Sequence, residues 1–210
     1  VPELRQGRAE DHPRVGDQVA VAHLDVADEG LFAELSRPLG VALLQREGRL
    51  IDFAGESLDA ISGHFRLFQL RDGHRFSTDD VLTAWYGTSW VPTASTVLDL
   101  GSGIGSVGMV AAWRLPSARF VTVEAQDESV RLARRSAAYN GLESRYEIRH
   151  GDFRDSSVLG VDERFDLVLG SPPYFPPGTG NEGDHPQKVQ CRFEIRGDIS
   201  DYARVAIAHL

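Results

Sequence analysis

Short apolar runs alternate with longer amphipathic stretches between residues 97 and 170. Four of the runs have the length of strands, and they cover residues 97–100, 119–124, 146–150 and 167–170. The amphipathic stretches between the first three end at Pro116 and at Asn140-Gly141, residues that typically stop helices. Strands that alternate with helices in this way predict a doubly wound α/β fold around a parallel sheet.

A different pattern precedes these strands. Residues 65–70 resemble a strand, Asp72-Gly73 predicts a hairpin turn, and residues 74–76 would return beside that strand. Ser77 and Asp80 are spaced as a capping box, which predicts a helix that continues through Tyr86.

Composition and charge narrow the class of protein. At 210 residues with 41% hydrophobic content, the chain can bury one core. It has no apolar run of membrane-spanning length, and we expect no signal sequence. Cys191 is the only cysteine, so we expect a reducing, cytoplasmic setting and no disulfide framework. The histidines do not cluster with Cys191 at zinc spacing, so no metal is expected.

The loop after the fourth strand carries the clearest chemical signal. It reads Ser171-Pro172-Pro173-Tyr174-Phe175. Prolines cannot donate to a strand ladder, so the strand must stop, and a rigid loop follows at its carboxyl end. Open α/β sheets bind ligands at that edge. The loop resembles the catalytic loop of methyltransferases that modify amino groups, which implies a planar substrate with an exocyclic amine.

The glycine-rich turn after the first strand has two interpretations. The spacing that begins at Gly103 fits a dinucleotide site, with Glu124 about twenty residues later as the ribose acid. The same stretch also resembles the S-adenosylmethionine motif of class I methyltransferases, through Asp99, Gly101, Gly103 and Gly105. That motif has a carboxylate for the methionine ammonium, contacted directly or through water, and nicotinamide dinucleotides have no such cation.

The resemblance assigns roles to further residues around this turn. Glu124, with Gln126 beside it, would accept hydrogen bonds from the ribose hydroxyls. Asp152 would bind the adenine amino group of the cofactor, with Phe153 beside the ring. Asp152 by itself is also an ordinary turn residue.

The resemblance likewise assigns roles toward the substrate. The Ser171 hydroxyl and the Pro172 carbonyl would accept the two amine hydrogens, and Tyr174 would stack on the base. Phe175, Lys188 and Arg192 would contact the substrate.

The segment before the glycine turn narrows the choice among methyltransferase families. Residues 69–82 look like the entry segment of bacterial methyltransferases that modify an adenine in the anticodon loop of valine tRNA. Those proteins also carry Pro-Pro-Tyr-Phe before a glycine-containing loop, and an Arg-x-Glu element that Arg192-Phe193-Glu194 matches. The resemblance covers residues 63–210. It implies a Rossmann-like class I methyltransferase sheet, S-adenosylmethionine as cofactor, and tRNA as the nucleic-acid partner, without a membrane.

Three departures from that family leave alternatives open. Ser171 stands where the family usually has Asn, and cytosine 4-amino methyltransferases often carry Ser. Residues 1–62 have no counterpart, so we expect an extension that is partly disordered, with a possible small hairpin over residues 41–53. The chain ends with a helix from about Ile199, as if the sheet were truncated after its fourth core strand.

Two other functions remain possible from the sequence. One is methylation of a protein glutamine amide, which uses a similar loop, and the other is a cofactor-binding module without catalysis. A net charge of −9 is unfavourable for nucleic-acid binding. The basic residues that follow the loop, Lys188, Arg192 and Arg196, offset it locally.

Overall fold

A computed structural model describes residues 55–173, 175 and 185–210. A hairpin of β1 (Glu56–Ser62) and β2 (Phe65–Leu70) comes first. The next elements are α1 (Thr78–Trp90), β3 (Thr96–Leu100), α2 (Ser106–Arg114), β4 (Arg119–Glu124), α3 (Asp127–Tyr139), β5 (Tyr146–His150) and β6 (Leu167–Gly170). The last are α4 (Pro186–Arg192), a 3₁₀ turn (Glu194–Arg196) and α5 (Ile199–His209). The small hairpin predicted over residues 41–53 and the polar start of the chain lie outside the described residues.

The strands β3 to β6 form one parallel sheet in the order β5-β4-β3-β6. The chain moves outward from β3 through β4 to β5 and then returns to the other side of β3. Open α/β sheets bind ligands where the strand order reverses in this way, beyond the carboxyl ends of the strands. In register, Leu100 lies opposite both Val123 and Gly170, so the strands end at a common rim. This Rossmann-like sheet confirms the predicted fold.

Helices cover both faces of the sheet because alternate residues of each strand point to opposite sides. Val97 belongs to a core with residues of α1, α2 and α3. Leu98 and Leu100 belong to a second core, to which α5 contributes Val205. Within the described residues, no helix is both long enough and apolar enough to cross a bilayer.

The prediction of a hairpin turn at Asp72-Gly73 is wrong. β2 pairs with β1, across a turn at Gly63 whose φ is +52°, and residues 74–76 form no strand beside β2. Gly73 is small for another reason, because a Cβ there would collide with the side-chain oxygen of Gln187. The boundary expected between residues 62 and 63 falls within the observed hairpin, and the role of residues 1–62 stays a prediction.

Side chains of α3 occupy the free edge of β2. Asn140 accepts from the Arg66 N–H at 2.9 Å and donates to the Arg66 carbonyl at 2.7 Å, as a neighbouring strand would. The Ser136 hydroxyl accepts from the Phe68 N–H at 2.9 Å. These bonds satisfy backbone groups that would otherwise be exposed at a sheet edge, and they hold the hairpin against the helix.

The capping box predicted at the start of α1 is confirmed, and it also contacts α2. Asp80 accepts from the Ser77 N–H at 3.0 Å. The same carboxylate oxygen accepts from the Ser106 hydroxyl at 2.9 Å. Because Ser106 is the first residue of α2, Asp80 fixes the entry to α1 beside the glycine turn.

Ser136→Ala tests the edge contact. The substitution removes the acceptor of the Phe68 N–H, and a buried donor without a partner costs about 1–3 kcal/mol. We expect that loss in the free energy of unfolding, measured in urea. Ser144→Ala, at an exposed position, is the control and should change stability by about 0.5 kcal/mol or less. Equal stability of the two variants would contradict this account of the edge.

Candidate active site

A cavity of about 430 Å³ opens at the rim where the parallel strands end. That volume is typical of small-molecule sites. Its wall is built from the loops after β3, β4, β5 and β6, from the entry to α1, and from α4 and α5. The predicted site residues on this wall are Gly101, Gly103, Glu124, Gln126, Asp152, Phe153, Ser171, Pro172 and Lys188. The structure therefore brings the cofactor and substrate residues of the prediction to one site.

Of the other predicted residues, the three that the structure describes do not line the cavity. Asp99 is buried beneath it, and Gly105 caps the start of α2 with a φ of +90°. Phe175 packs against Phe193, with ring centroids 5.8 Å apart, and is 40% exposed. Tyr174 and the side chain of Arg192 lie outside the described part of the chain, so their roles stay predictions.

The glycine turn exposes backbone to the cavity at Gly103. Its φ is +55°, a region in which a side chain is strained, and no atom lies within 4 Å of the position a Cβ would take. Neighbouring Ser102 is 4% exposed, and its hydroxyl on the cavity wall has no hydrogen-bond partner in the part of the chain that the structure describes. A buried hydroxyl without a partner is costly, so it is suited to a polar ligand. The sequence pattern did not identify Ser102, which occupies a variable position of the motif.

Glu124 connects two loops at the centre of the site. The side chain is 6% exposed, and its oxygens accept from the Gly103 N–H at 2.8 Å and the Gln126 N–H at 2.7 Å. The expected role toward ribose hydroxyls is compatible with this geometry, and the carboxylate also has a structural role that the sequence did not indicate.

Asp99 lies beneath the glycine turn and binds the backbone of α2. It is fully buried, one oxygen accepts from the Gly108 N–H at 2.9 Å, and the other has no partner among the described residues. Burial is the main cause that raises the pKa of this carboxyl, and the Gly108 bond opposes it. With the charges of Asp80 and Glu124 added, the pKa is about 7. Asp99 does not line the cavity, and its predicted contact with an ammonium group stays a prediction.

The residues after β5 provide a charged and an aromatic side chain. The Asp152 carboxylate accepts from the Arg154 guanidinium at 2.6 and 2.9 Å, and both residues are partly exposed. Phe153 is 8% exposed and meets Tyr202 of α5 edge to face, with centroids 4.6 Å apart. On this side, the cavity is therefore bordered by the Asp152 carboxylate and by the paired rings of Phe153 and Tyr202.

Buried Gln187 holds α4 beside the cavity. Its side chain accepts from the His74 N–H at 3.0 Å and donates to the Ser129 hydroxyl at 3.1 Å. Gln126 adds a contact to the same helix by donating to the Cys191 sulfur at 3.3 Å. These bonds join three separate elements, and nothing in the sequence pattern pointed to Gln187.

The Pro-Pro loop and α4 border the substrate side. Ser171 and Pro172 follow β6 directly, and Lys188 places a cation on the same wall. In the described residues, no three His, Cys, Asp or Glu side chains are grouped as a metal site.

Comparison with known proteins gives a family match. Residues 87–182 match the family model described as methyltransferase small domain. A release factor glutamine methyltransferase of Aliivibrio fischeri is 31% identical over 49% of this chain and 34% of its own length. A tRNA1(Val) (adenine(37)-N6)-methyltransferase of Porphyromonas gingivalis is 36% identical over 48% of this chain and 41% of its own. One with the same name from a Flavobacteriaceae bacterium is 26% identical over 67% and 58%.

These matches confirm the resemblance to S-adenosylmethionine-dependent amino-group methyltransferases that the motifs predicted. The chain spans between about 28% and 58% of the length of the curated relatives it matches. Their names include two kinds of substrate, a tRNA adenine and a protein glutamine.

The buried Asp99 carboxyl predicts a pH dependence of stability. Its pKa of about 7 in the folded protein exceeds the ordinary 3.8, so between these values the native state holds a proton that the unfolded state has lost. The free energy of unfolding should therefore fall as the pH rises from about 4 to about 7.

Asp99→Asn should make this fall shallower between pH 5 and pH 8, by an amount on the order of 1–4 kcal/mol. Urea unfolding without ligand at the two pH values measures it. Asp162→Asn, at an exposed position, removes a surface charge as the control. If Asp99→Asn and the wild type had equal pH slopes, the shifted carboxyl would not be Asp99.

Proposed function

We propose that this chain transfers a methyl group from S-adenosylmethionine to an exocyclic amino group of a nucleobase. The match to the methyltransferase small domain model supports this proposal. Adenine N6 in a tRNA is the substrate we favour. The observation that carries the proposal is that the glycine turn, Glu124 and the Ser171-Pro172 loop line one cavity. A tRNA substrate would place the reaction in the cytoplasm.

The residues present fit this cofactor. Among the described residues the Ser102 hydroxyl has no hydrogen-bond partner, and the backbone at Gly103 is open, so the methionine part would have both a polar contact and space. Glu124 lines the same cavity, where its carboxylate would accept hydrogen bonds from the ribose hydroxyls. Asp152 and Phe153 border the cavity where we place the adenine. When bound, S-adenosylmethionine supplies a methyl group already activated by the sulfonium.

Activation of the amine is the task of the Pro-Pro loop. An aromatic amine delocalises its lone pair into the ring and is therefore a weak nucleophile. The Ser171 hydroxyl oxygen and the Pro172 carbonyl would each accept one amine hydrogen. These bonds favour a pyramidal nitrogen with its lone pair free to attack the methyl carbon. The N–C bond would form as the C–S bond breaks, which leaves S-adenosylhomocysteine, and the methylated nitrogen would then lose one proton to solvent. Catalysis then depends mainly on alignment of the amine with the methyl group.

Two observations favour a polynucleotide over a protein substrate. Lys188 lies on the wall of the cavity, where it can approach a phosphate. The entry segment over residues 69–82 resembles that of the tRNA adenine enzymes. A protein glutamine amide is the second candidate, because a release factor glutamine methyltransferase matches at similar identity. Ser171 also keeps cytosine as an alternative base.

Methyl transfer with labelled S-adenosylmethionine tests the proposal. The purified protein is offered bulk tRNA, single-stranded DNA and a glutamine-containing peptide. We expect label in the tRNA, recovered as N6-methyladenosine after digestion. Label confined to the peptide would establish the glutamine alternative, and no transfer to any acceptor by a folded protein that binds the cofactor would favour a binding module.

Ser171 variants locate the chemistry within that assay. Ser171→Ala removes an acceptor aimed at the amine and should slow single-turnover transfer by about a hundredfold, with little change in cofactor affinity. Ser171→Asn should keep activity on adenine, because its carbonyl is also an acceptor. Ser156→Ala, at an exposed position, is the control. Unchanged rates in Ser171→Ala would show that the loop is a structural turn.

A further inference from the structure

Tyr202 of α5 occupies a position at the rim that neither the motifs nor the family match explains. Its phenolic oxygen lies so close to Gly101 that a Cβ there would collide with it. A Cβ on Gly170 would lie 2.9 Å from Cδ1 of the same ring. Gly101, which directly follows β3, and Gly170, the last residue of β6, thus make room for one tyrosine, which also lines the cavity.

The sheet register shows what lies on either side of this ring. Leu100 and Gly170 are direct neighbours on β3 and β6. Gly101 begins the glycine turn, and Ser171 begins the Pro-Pro loop. Tyr202 therefore stands between the turn and the loop, at the point where the strand order reverses.

Under the proposed function, the sulfonium end of the cofactor would lie beside Tyr202. The adenosine contacts, Glu124 and Asp152, follow β4 and β5 on one side of β3, and the amine acceptor Ser171 follows β6 on the other. A cofactor that reaches from the first group toward the second must bring its sulfonium end past β3, where the Tyr202 hydroxyl lies.

The surroundings of Tyr202 favour a cation. Burial raises the pKa of the phenol well above its usual value, and the carboxylates of Glu124, Asp99 and Asp152 raise it further. The hydroxyl therefore stays neutral and offers its lone pairs. The Phe153 ring supports it from the side, at 4.6 Å between centroids.

We propose that Tyr202 is a positioning residue for methyl transfer, whose hydroxyl oxygen contacts the sulfonium end of the cofactor and keeps the methyl group directed at the Ser171 loop. This inference rests on the proposed function and extends it to a residue outside the motifs. Polarised C–H groups beside a sulfonium are weak donors to such an oxygen. The demethylated product, S-adenosylhomocysteine, has neither the charge nor the methyl group.

Tyr202→Phe separates this role from packing, because it keeps the ring between the two glycines. We expect S-adenosylmethionine to bind about threefold to tenfold more weakly by calorimetry, as the loss of weak C–H···O contacts to a cation implies. S-adenosylhomocysteine should bind within about twofold of the wild type. Single-turnover transfer at saturating cofactor should also slow. Tyr139→Phe, which removes a hydroxyl from a 45% exposed residue of α3, is the matched control.

The ratio of the two affinities within one variant decides the outcome, and it does not depend on a modest change in stability. Unchanged affinities in Tyr202→Phe, or equal losses for both compounds, would overturn the role toward the sulfonium and leave the proposed function intact. Failure of the folded wild-type protein to bind either compound would overturn both.

Discussion

The Glu124 carboxylate is the contact on which the arrangement of the site depends. Its two oxygens hold the Gly103 N–H and the Gln126 N–H, so one side chain fixes the loops after β3 and β4. Hydrogen bonds to a charged group contribute about 1.5–3 kcal/mol each. Because Glu124 also lines the cavity, the side chain that orders these two loops lies where a ligand would bind. Preorganisation of this kind reduces the cost of ordering the loops on binding.

The order of the strands places the Ser171 loop beside the two loops that Glu124 holds. β6 returns beside β3 and brings the Ser171 loop next to the glycine turn. α4 and α5 then close the remaining sides, through Gln187 and Tyr202. The residues predicted to bind cofactor and substrate come from distant parts of the chain, and many of them meet because all four parallel strands end at one rim. The proposed reaction needs this proximity, since alignment supplies most of its catalysis.

The sequence predicted the features that local patterns encode. Strand positions, the capping box of Ser77 and Asp80, and the glycine turn all follow from spacing and residue type within one segment, and the structure contains each of them. The hairpin was misplaced because Asp72-Gly73 has the composition of a turn. Gly73 is small for a tertiary reason, the approach of Gln187 from a helix more than a hundred residues later.

Burial and long-range contacts explain the rest of what the sequence did not reveal. Asp99 matches a ligand-binding motif, but its carboxylate lies below the turn and bonds Gly108. Whether a polar residue faces a cavity or a helix start depends on the packed sheet. Tyr202 contributes a single side chain from α5, so no periodicity or motif identifies it. Its role becomes visible only when Gly101 and Gly170 are seen to lie against one ring.

The central claim is that the cofactor lies over the glycine turn at Gly103, and one calorimetric titration with S-adenosylhomocysteine tests it. Gly103→Ala and Gly141→Ala are matched, since both residues have positive φ and open space at the Cβ position, but only Gly103 lies on the cavity wall. Both variants should lose about 1–2 kcal/mol of stability from backbone strain. The account predicts wild-type affinity in Gly141→Ala and affinity about tenfold weaker or worse in Gly103→Ala. Equal binding by the two variants would contradict it.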